Sequence, residues 1–288
     1  MKKFLAPILP LTAALLLAAC STPPLGMQGA KLDHYPSANE DSRVLYLVLH
    51  YTEENWDESL RLLSRSPAQG GGQVSAHYLV REEPVKVYQL VDENRRAWQA
   101  GESYWQGSQK LNSASIGIEI VNPGDKNLAT GARNGQYAPY APAQIDAVVA
   151  LVKDIVARHH IKPDRVVGHL DIAPDRRRDP GPMFPWHRLY EAGVIGWPDA
   201  AQVAAKTTEY SATLPGIDWA QKKLAQYGYL VPITAELDAH TRNVISAFQM
   251  KYRPTKYDGE LDAETAALID VATTKGGMLM VPAPAAKP

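Results

Sequence analysis

Apolar residues along this chain follow two rhythms. From Val44 to His50 they are nearly continuous (VLYLVLH), which suits a central strand buried on both faces. Ser75 to Val80 and Val85 to Val91 are two further strand-like runs, separated by a turn in the sequence REEP. Ser115 to Val121 (SIGIEIV) alternates isoleucine with polar or small residues and stops at Asn122-Pro123-Gly124. Asp164 to Gly168 (DRVVG) is the last run of this kind. Elsewhere the rhythm is helical. Ile145, Val148, Val149, Val152, Ile155 and Val156 share one face of a helix over Ala143 to His159, with Pro142 at its start. Shorter helices are predicted at Asp57 to Leu63 and Pro185 to Glu191. Strands interleaved with helices give an α/β fold, a central sheet flanked by helices. Asn122 to Tyr140, rich in Asn, Gly, Pro and Tyr, reads as a long loop.

The pattern changes after Trp197. Residues 199–212 read as a polar, alanine-rich linker. Ile217 to Tyr227, Asp238 to Tyr252 and Ala263 to Ala272 are three amphipathic helices, which predicts a small three-helix domain over residues 213–275. Residues 276–288, rich in Pro and Ala, read as a disordered tail. Residues 41–198 hold the α/β domain.

The amino terminus adds a location. Met-Lys-Lys followed by a short apolar run reads as a secretory signal over residues 1–19. The run from Phe4 to Ala19 is too short for a comfortable membrane span, and Pro7 and Pro10 interrupt it. Leu17-Ala18-Ala19-Cys20 resembles a bacterial lipobox, which implies lipidation of Cys20 and a tether over residues 20–40. Ser21 rather than aspartate then implies a lipid anchor in the outer membrane, facing the periplasm. Cys20 is the only cysteine, so no intramolecular disulfide exists and no thiolate serves a metal site. The formal net charge of -1 gives no reason to expect nucleic acid as a partner.

The candidate chemistry sits at strand ends. His50 closes the first run, Glu119 lies within SIGIEIV, and His169 follows DRVVG directly. Asp179 comes ten positions after His169 along a loop rich in Pro and charge. A histidine at a strand end is, taken alone, more often structural than a ligand. Two histidines and an aspartate together suit zinc, with three tetrahedral corners filled and one left for water. Glu119, a carboxylate in an apolar strand, is costly unless paired or functional, and would be the base for that water.

The same segments resemble a known family. "VLHYT", "VSAHYLV", "RAWQAG", "SIGIEIVN" and "GHLDIAPDRRRDPGPMF" are similar, in order, to the zinc N-acetylmuramoyl-L-alanine amidases of peptidoglycan-recognition-protein-like fold, over about Val44 to Trp197. The resemblance implies a mixed central sheet and one zinc ion per chain on His50, His169 and Asp179. It implies Glu119 as catalytic base, and hydrolysis of the amide between N-acetylmuramic acid, or its anhydro form, and L-alanine. Peptidoglycan or its muropeptides are then the partners. His77 matches a family histidine that is not a ligand, so it is structural or supports the site. Arg177 stands where the family usually has lysine. Guanidinium does not deprotonate, so Arg177 is expected to stabilise an oxyanion and not to act as an acid. Gln99 stands where the family commonly has histidine, which weakens a substrate role there. Trp98 and Trp105 are candidates for stacking on sugar rings or for core packing. TRNVISAFQMKY and YDGELDAETAALI resemble the small peptidoglycan-binding domain attached to wall hydrolases, the alternative being a helical extension of the catalytic domain. Two other readings of the whole chain stand beside the amidase: a non-catalytic peptidoglycan receptor, and a zinc peptidase acting within the stem peptide.

Overall fold

The computed structural model describes residues 35–281. The expected signal peptide, Cys20, most of the tether and residues 282–288 of the expected tail lie outside them. The chain divides at Asp41, and the described residues from Ser42 onward form one compact unit.

The elements in order are β1 (Tyr46–Tyr51), α1 (Trp56–Ser64), β2 (Tyr78–Glu82), β3 (Val85–Gln89), β4 (Tyr104–Trp105), β5 (Ser108–Gln109), β6 (Ser115–Ile120), α2 (Pro142–His159), β7 (Val166–Gly168), α3 (His169–Ile172), α4 (Trp186–Glu191), β8 (Trp197–Pro198), α5 (Ala200–Ala212), α6 (Ile217–Tyr227), α7 (Ala239–Tyr252), α8 (Ala263–Thr273) and β9 (Met278–Leu279). Five strands form the main sheet in the order β3-β2-β6-β1-β7. Only the β2/β3 pair is antiparallel, so the sheet is mixed.

Strand alternation gives the sheet two faces. Leu47 and Leu49 of β1 and Ile116, Ile118 and Ile120 of β6 point to one face, against Ile145, Val148, Val152 and Ile155 of α2 and Leu189 of α4. Tyr46 and Val48 point to the other, in a core shared with Trp105, Leu111, Leu170 and the apolar sides of α6, α7 and α8. His50 follows Tyr46 and Val48 in the same alternation, so it sits on this second face at the strand's carboxyl end.

The C-terminal helices lie where the periodicity places them, but two expectations for their surroundings are corrected. The stretch read as a linker over residues 199–212 is a helix, α5. Asp199 caps it by accepting from the backbone N–H groups of Ala201 and Gln202, and alanine-rich sequence favours helix once capped. Val203 and Tyr210 pack it onto the core, and the Tyr210 hydroxyl donates to Asp270 at 2.7 Å. The start of the stretch read as a disordered tail is ordered: Met278 and Leu279 pair with Pro198 and Trp197 as an antiparallel bridge. Apolar Met and Leu beside an open strand edge outweigh the Pro/Ala composition that follows them.

A core that mixes residues of the sheet with those of α6 to α8 predicts cooperative unfolding. Phe248 of α7 is fully buried in it. Phe248→Ala is expected to cost about 3–5 kcal/mol. Calorimetry and tryptophan fluorescence of the variant should give one coincident transition, shifted down as a whole. Two separated transitions would show that the helical part is energetically independent.

Candidate metal and catalytic centre

Three parallel strands present the site at their carboxyl ends, where layered α/β sheets usually carry their chemistry. His50 and Glu119 are register partners on β1 and β6, so their side chains share a face. His169 is the first residue after β7. The chain then runs out and returns, and the carbonyl of Asp179 accepts the Leu170 N–H at 2.8 Å. Gly168 permits the return: a Cβ there would meet Pro180 Cδ at 2.7 Å, well inside contact distance.

This brings three donor atoms to one buried point. His50 Nδ1 lies 3.0 Å from His169 Nδ1 and 2.8 Å from Asp179 Oδ2, and His169 Nδ1 lies 3.1 Å from the same oxygen. The far side of each ring decides its tautomer. His169 Nε2–H donates to the carbonyl of Ala100 at 3.2 Å. His50 Nε2–H donates to Gln99 Oε1 at 2.6 Å. The Gln99 amide is itself oriented, because its Nε2 donates to Ser115 Oγ at 2.7 Å and that hydroxyl donates to the Leu111 carbonyl at 2.7 Å. An acceptor therefore faces His50, and both Nδ1 atoms turn lone pairs inward beside a carboxylate.

Three acceptors in contact repel unless a cation lies among them. The electrostatics agree. For His50, burial lowers the pKa, but the Glu119 and Asp179 carboxylates more than offset it, so the net shift is upward. Burial opposes ionisation of Asp179, yet the two imidazoles hold its carboxyl well below the usual range. Burial lowers His169 to about 4, leaving it neutral. The set His50, His169 and Asp179 can hold a metal ion. Donors around a tetrahedral ion at about 2.0–2.1 Å stand roughly 3.3 Å apart, close to the separations here, so nitrogen and oxygen of this kind fit zinc.

Glu119 stands beside this cluster. Its Oε2 is fully enclosed with no hydrogen-bond partner among the described residues. Burial raises its pKa to about 7. With the three donor residues it lines a cavity of about 150 Å³ that also includes Tyr51, Glu53, Gln99 and Arg177.

Comparison with known proteins fits this geometry. Residues 40–182 match the N-acetylmuramoyl-L-alanine amidase family, and residues 213–269 match a putative peptidoglycan binding domain. The chain is 43% identical over 276 residues to the N-acetylmuramoyl-L-alanine amidase AmiD of Escherichia coli (strain K12), covering 92% of this chain and 96% of that protein. It belongs to the N-acetylmuramoyl-L-alanine amidase family. The amidase hydrolyses the bond between N-acetylmuramic acid and L-alanine in peptidoglycan. Two solved structures are similar to it across both parts. One is the complex of E. coli AmiD with anhydro-N-acetylmuramic acid-L-Ala-D-gamma-Glu-L-Lys, at 42% identity and TM-score 0.72, covering 84% of this chain and 94% of that one. The other is AmpDh3 of Pseudomonas aeruginosa with an anhydromuramic pentapeptide, at 37% identity and TM-score 0.74, covering 83% and 96%. Membership of this enzyme family removes the receptor and stem-peptidase alternatives.

The remaining candidates of the amidase separate cleanly. Of three consecutive arginines, Arg176 donates to the carbonyls of Ala100 and Glu102, and Arg178 donates to Pro174 O and Asn243 Oδ1. Arg177 lines the site cavity. His77 is fully buried outside the cavity, where its Nδ1 accepts the Gly117 N–H at 3.0 Å and its Nε2 donates to Arg95 O at 3.1 Å. It ties β6 to the segment that carries Gln99. Trp98, one residue before Gln99, is 52% exposed and lies outside the lining of the site cavity, with the Arg96 guanidinium 4.1 Å from its ring centroid. Trp105 is corrected as a sugar platform: it is 1% exposed, donates to Asp164 O at 2.9 Å and packs edge-on against Tyr227 and Tyr229. Its strand faces the C-terminal helices rather than the cavity.

Sequence reasoning missed two residues of this site. Gln99 departs from the histidine common in the family, yet it orients His50. Tyr51, buried with a hydroxyl that has no partner among the described residues, lines the cavity beside it. One signal for Gln99 was available in Gly117, the small residue opposite it. A Cβ on Gly117 would meet Gln99 Cγ at 2.6 Å. Gly117→Ala should therefore push Gln99 off His50. Zinc affinity, read by chelator competition, is expected to fall about 10–100-fold, as for other losses of a ligand's supporting hydrogen bond. Unchanged affinity would show that His50 needs no such orientation.

Proposed function

We propose that the amidase works through one zinc ion held by His50 Nδ1, His169 Nδ1 and Asp179 Oδ2, with Glu119 as the proton-transfer group and Arg177 as the oxyanion donor. The convergence of three inward-facing acceptors beside an unpartnered carboxyl carries this reading. When bound, the ion supplies Lewis acidity to water and to the scissile carbonyl. Glu119, ionised, takes the proton of the attacking water. Enclosure keeps its basicity near neutrality, where a base is both populated and strong enough. The same carboxyl then gives that proton to the leaving nitrogen of L-alanine. The Arg177 guanidinium donates to the carbonyl oxygen as negative charge develops on it.

The proposed substrates are muropeptides of the wall, including anhydro forms, which are the ligands of both similar structures. The exposed indole of Trp98 is the surface on which a sugar ring would stack. The helical domain over residues 213–275 would contact peptidoglycan, and the lipidated Cys20 would hold the enzyme at the outer membrane. Cys20→Ser should move the protein from the membrane to the soluble fraction, and retention in the membrane would refute the anchor.

Product mass spectrometry with purified sacculi and with a soluble anhydro-muropeptide tests the substrate reading. Free stem peptide starting at L-alanine is expected from both. His169→Ala should lose zinc and activity together, and full zinc occupancy in that variant would remove His169 from the ligand set. Glu119→Gln should keep zinc and lose about 10²–10⁴ in rate. Because the base must be ionised, kcat/KM should fall as pH drops through the Glu119 pKa. Without zinc that value is about 7, and the ion's positive charge draws it lower. An acid limb retained in Glu119→Gln would assign the limb to another group. Arg177→Ala should cost about 10²–10³ in kcat with little change in KM or zinc content. Arg177→Lys should recover much of that loss. Equal small effects at Arg176, Arg177 and Arg178 would deny Arg177 its role.

A further inference from the structure

The loop from His169 to Asp179 carries an inward-facing donor at each end, and the C-terminal helical domain grips it at three places between. Asp171, two residues beyond His169, is 1% exposed. Its Oδ1 accepts from the Tyr229 hydroxyl at 2.6 Å, while its Oδ2 accepts from the Gly168 N–H at 2.8 Å. Lys251 of α7, 4% exposed, places Nζ 3.7 Å from that same Oδ2 and 4.4 Å from the centroid of the Trp186 ring. In the middle of the loop, Asp175 accepts from Asn243 Nδ2 at 3.0 Å and from His240 Nδ1 at 2.7 Å. At the far end Arg178, next to Asp179, donates Nη2 to Asn243 Oδ1 at 2.7 Å.

These contacts are arranged as a clamp. His240 and Asn243 lie three positions apart on α7, so both project from one side of it. Asn243 bridges Asp175 and Arg178 with the two ends of one amide. Tyr229 fixes the turn that carries His169. The loop needs such anchors: it contains Pro174 and three consecutive arginines whose like charges oppose its folding back. Its internal backbone bonds are few, from Leu170 N to Asp179 O, Ala173 N to His169 O, and Arg176 N and Arg177 N to Ala173 O.

We propose that the C-terminal helical domain is a positioning element of the metal centre, in which Tyr229, Asn243, His240 and Lys251 set the separation of His169 and Asp179 through Asp171, Asp175 and Arg178. The inference rests on the reading of His169 and Asp179 as metal donors. A metal site binds tightly when its donors are held in place before the ion arrives, and supports one bond removed from the ligands carry much of that order. The domain matched as peptidoglycan-binding is then also part of the reaction centre, and its removal would damage the centre itself.

The test uses the full chain loaded with zinc, and compares Tyr229→Phe and Asn243→Ala with Tyr210→Phe. The last variant also removes one tyrosine-to-aspartate hydrogen bond, the one to Asp270, but away from the loop. Zinc dissociation constants come from chelator competition, and amide hydrogen exchange reports on Leu170 to Arg178. Tyr229→Phe and Asn243→Ala are each expected to weaken zinc binding about tenfold and to speed exchange at Leu170. Tyr210→Phe should do neither. Zinc binding within about twofold of wild type in both loop-facing variants overturns the proposal, as does equal weakening in Tyr210→Phe. A His169→Ala variant that binds zinc normally would instead overturn the donor assignment. Loss of zinc in His169→Ala with unaffected Tyr229→Phe and Asn243→Ala refutes the clamp alone.

Discussion

Two imidazole nitrogens and a carboxylate oxygen cannot rest about 3 Å from one another in a buried place without positive charge among them. Most features around the site of this amidase follow from that constraint. Each ring must spend its proton on the outside, which requires an acceptor behind it: the Ala100 carbonyl behind His169 and the Gln99 amide behind His50. The Gln99 amide presents oxygen only because Ser115 takes its other end and Leu111 takes the Ser115 proton. Gly117 is small because Gln99 lies against it. A chain of neutral hydrogen bonds, four residues deep, thus serves to aim one lone pair.

The sheet supplies the rest of the order. Parallel register places His50 and Glu119 side by side, so the carboxyl proposed to move protons is fixed relative to the proposed ligand by two strands and no loop. The opposite face is sealed by α2 and α4. The site face is covered at one end by residues of α1 and at the other by the C-terminal helices, which share a core with Tyr46, Val48 and Leu170. The helical domain therefore takes part in the α/β layer instead of hanging from it. Both readings of those helices at the level of sequence, binding domain and packed extension, describe part of the arrangement.

Much of this was legible in the sequence because strands buried on both faces advertise themselves as continuous apolar runs. Their ends at His50 and Gly168, and the carboxylate inside SIGIEIV, marked the site directly. The His169 to Asp179 loop was readable from Pro174, its charged run and its two candidate ligands. The separate placements of Arg176, Arg177 and Arg178 needed coordinates, although the family resemblance points to Arg177, which lines the cavity. What the sequence concealed depends on contacts between distant segments. Gln99, in a loop, acquires its role from Ser115 and Gly117 on β6, and Trp105 loses its candidate role to Tyr227 and Tyr229, more than a hundred positions away. The helix over Ala200–Ala212 was hidden because polar, alanine-rich sequence reads equally as a connector until a core is available for Val203 and Tyr210. The start of the tail is hidden in composition, which averages over Met278 and Leu279 although these have a strand to join.

The central claim is that one ion is held through Nδ1 of both histidines, with Nε2 committed to oxygen acceptors behind them. Anomalous diffraction at the zinc edge from crystals of the zinc-loaded protein tests it most directly. One peak per chain is predicted, at about 2.0–2.2 Å from His50 Nδ1, His169 Nδ1 and Asp179 Oδ2. A peak coordinated through Nε2 of either histidine, or at a different group of residues, would contradict the account.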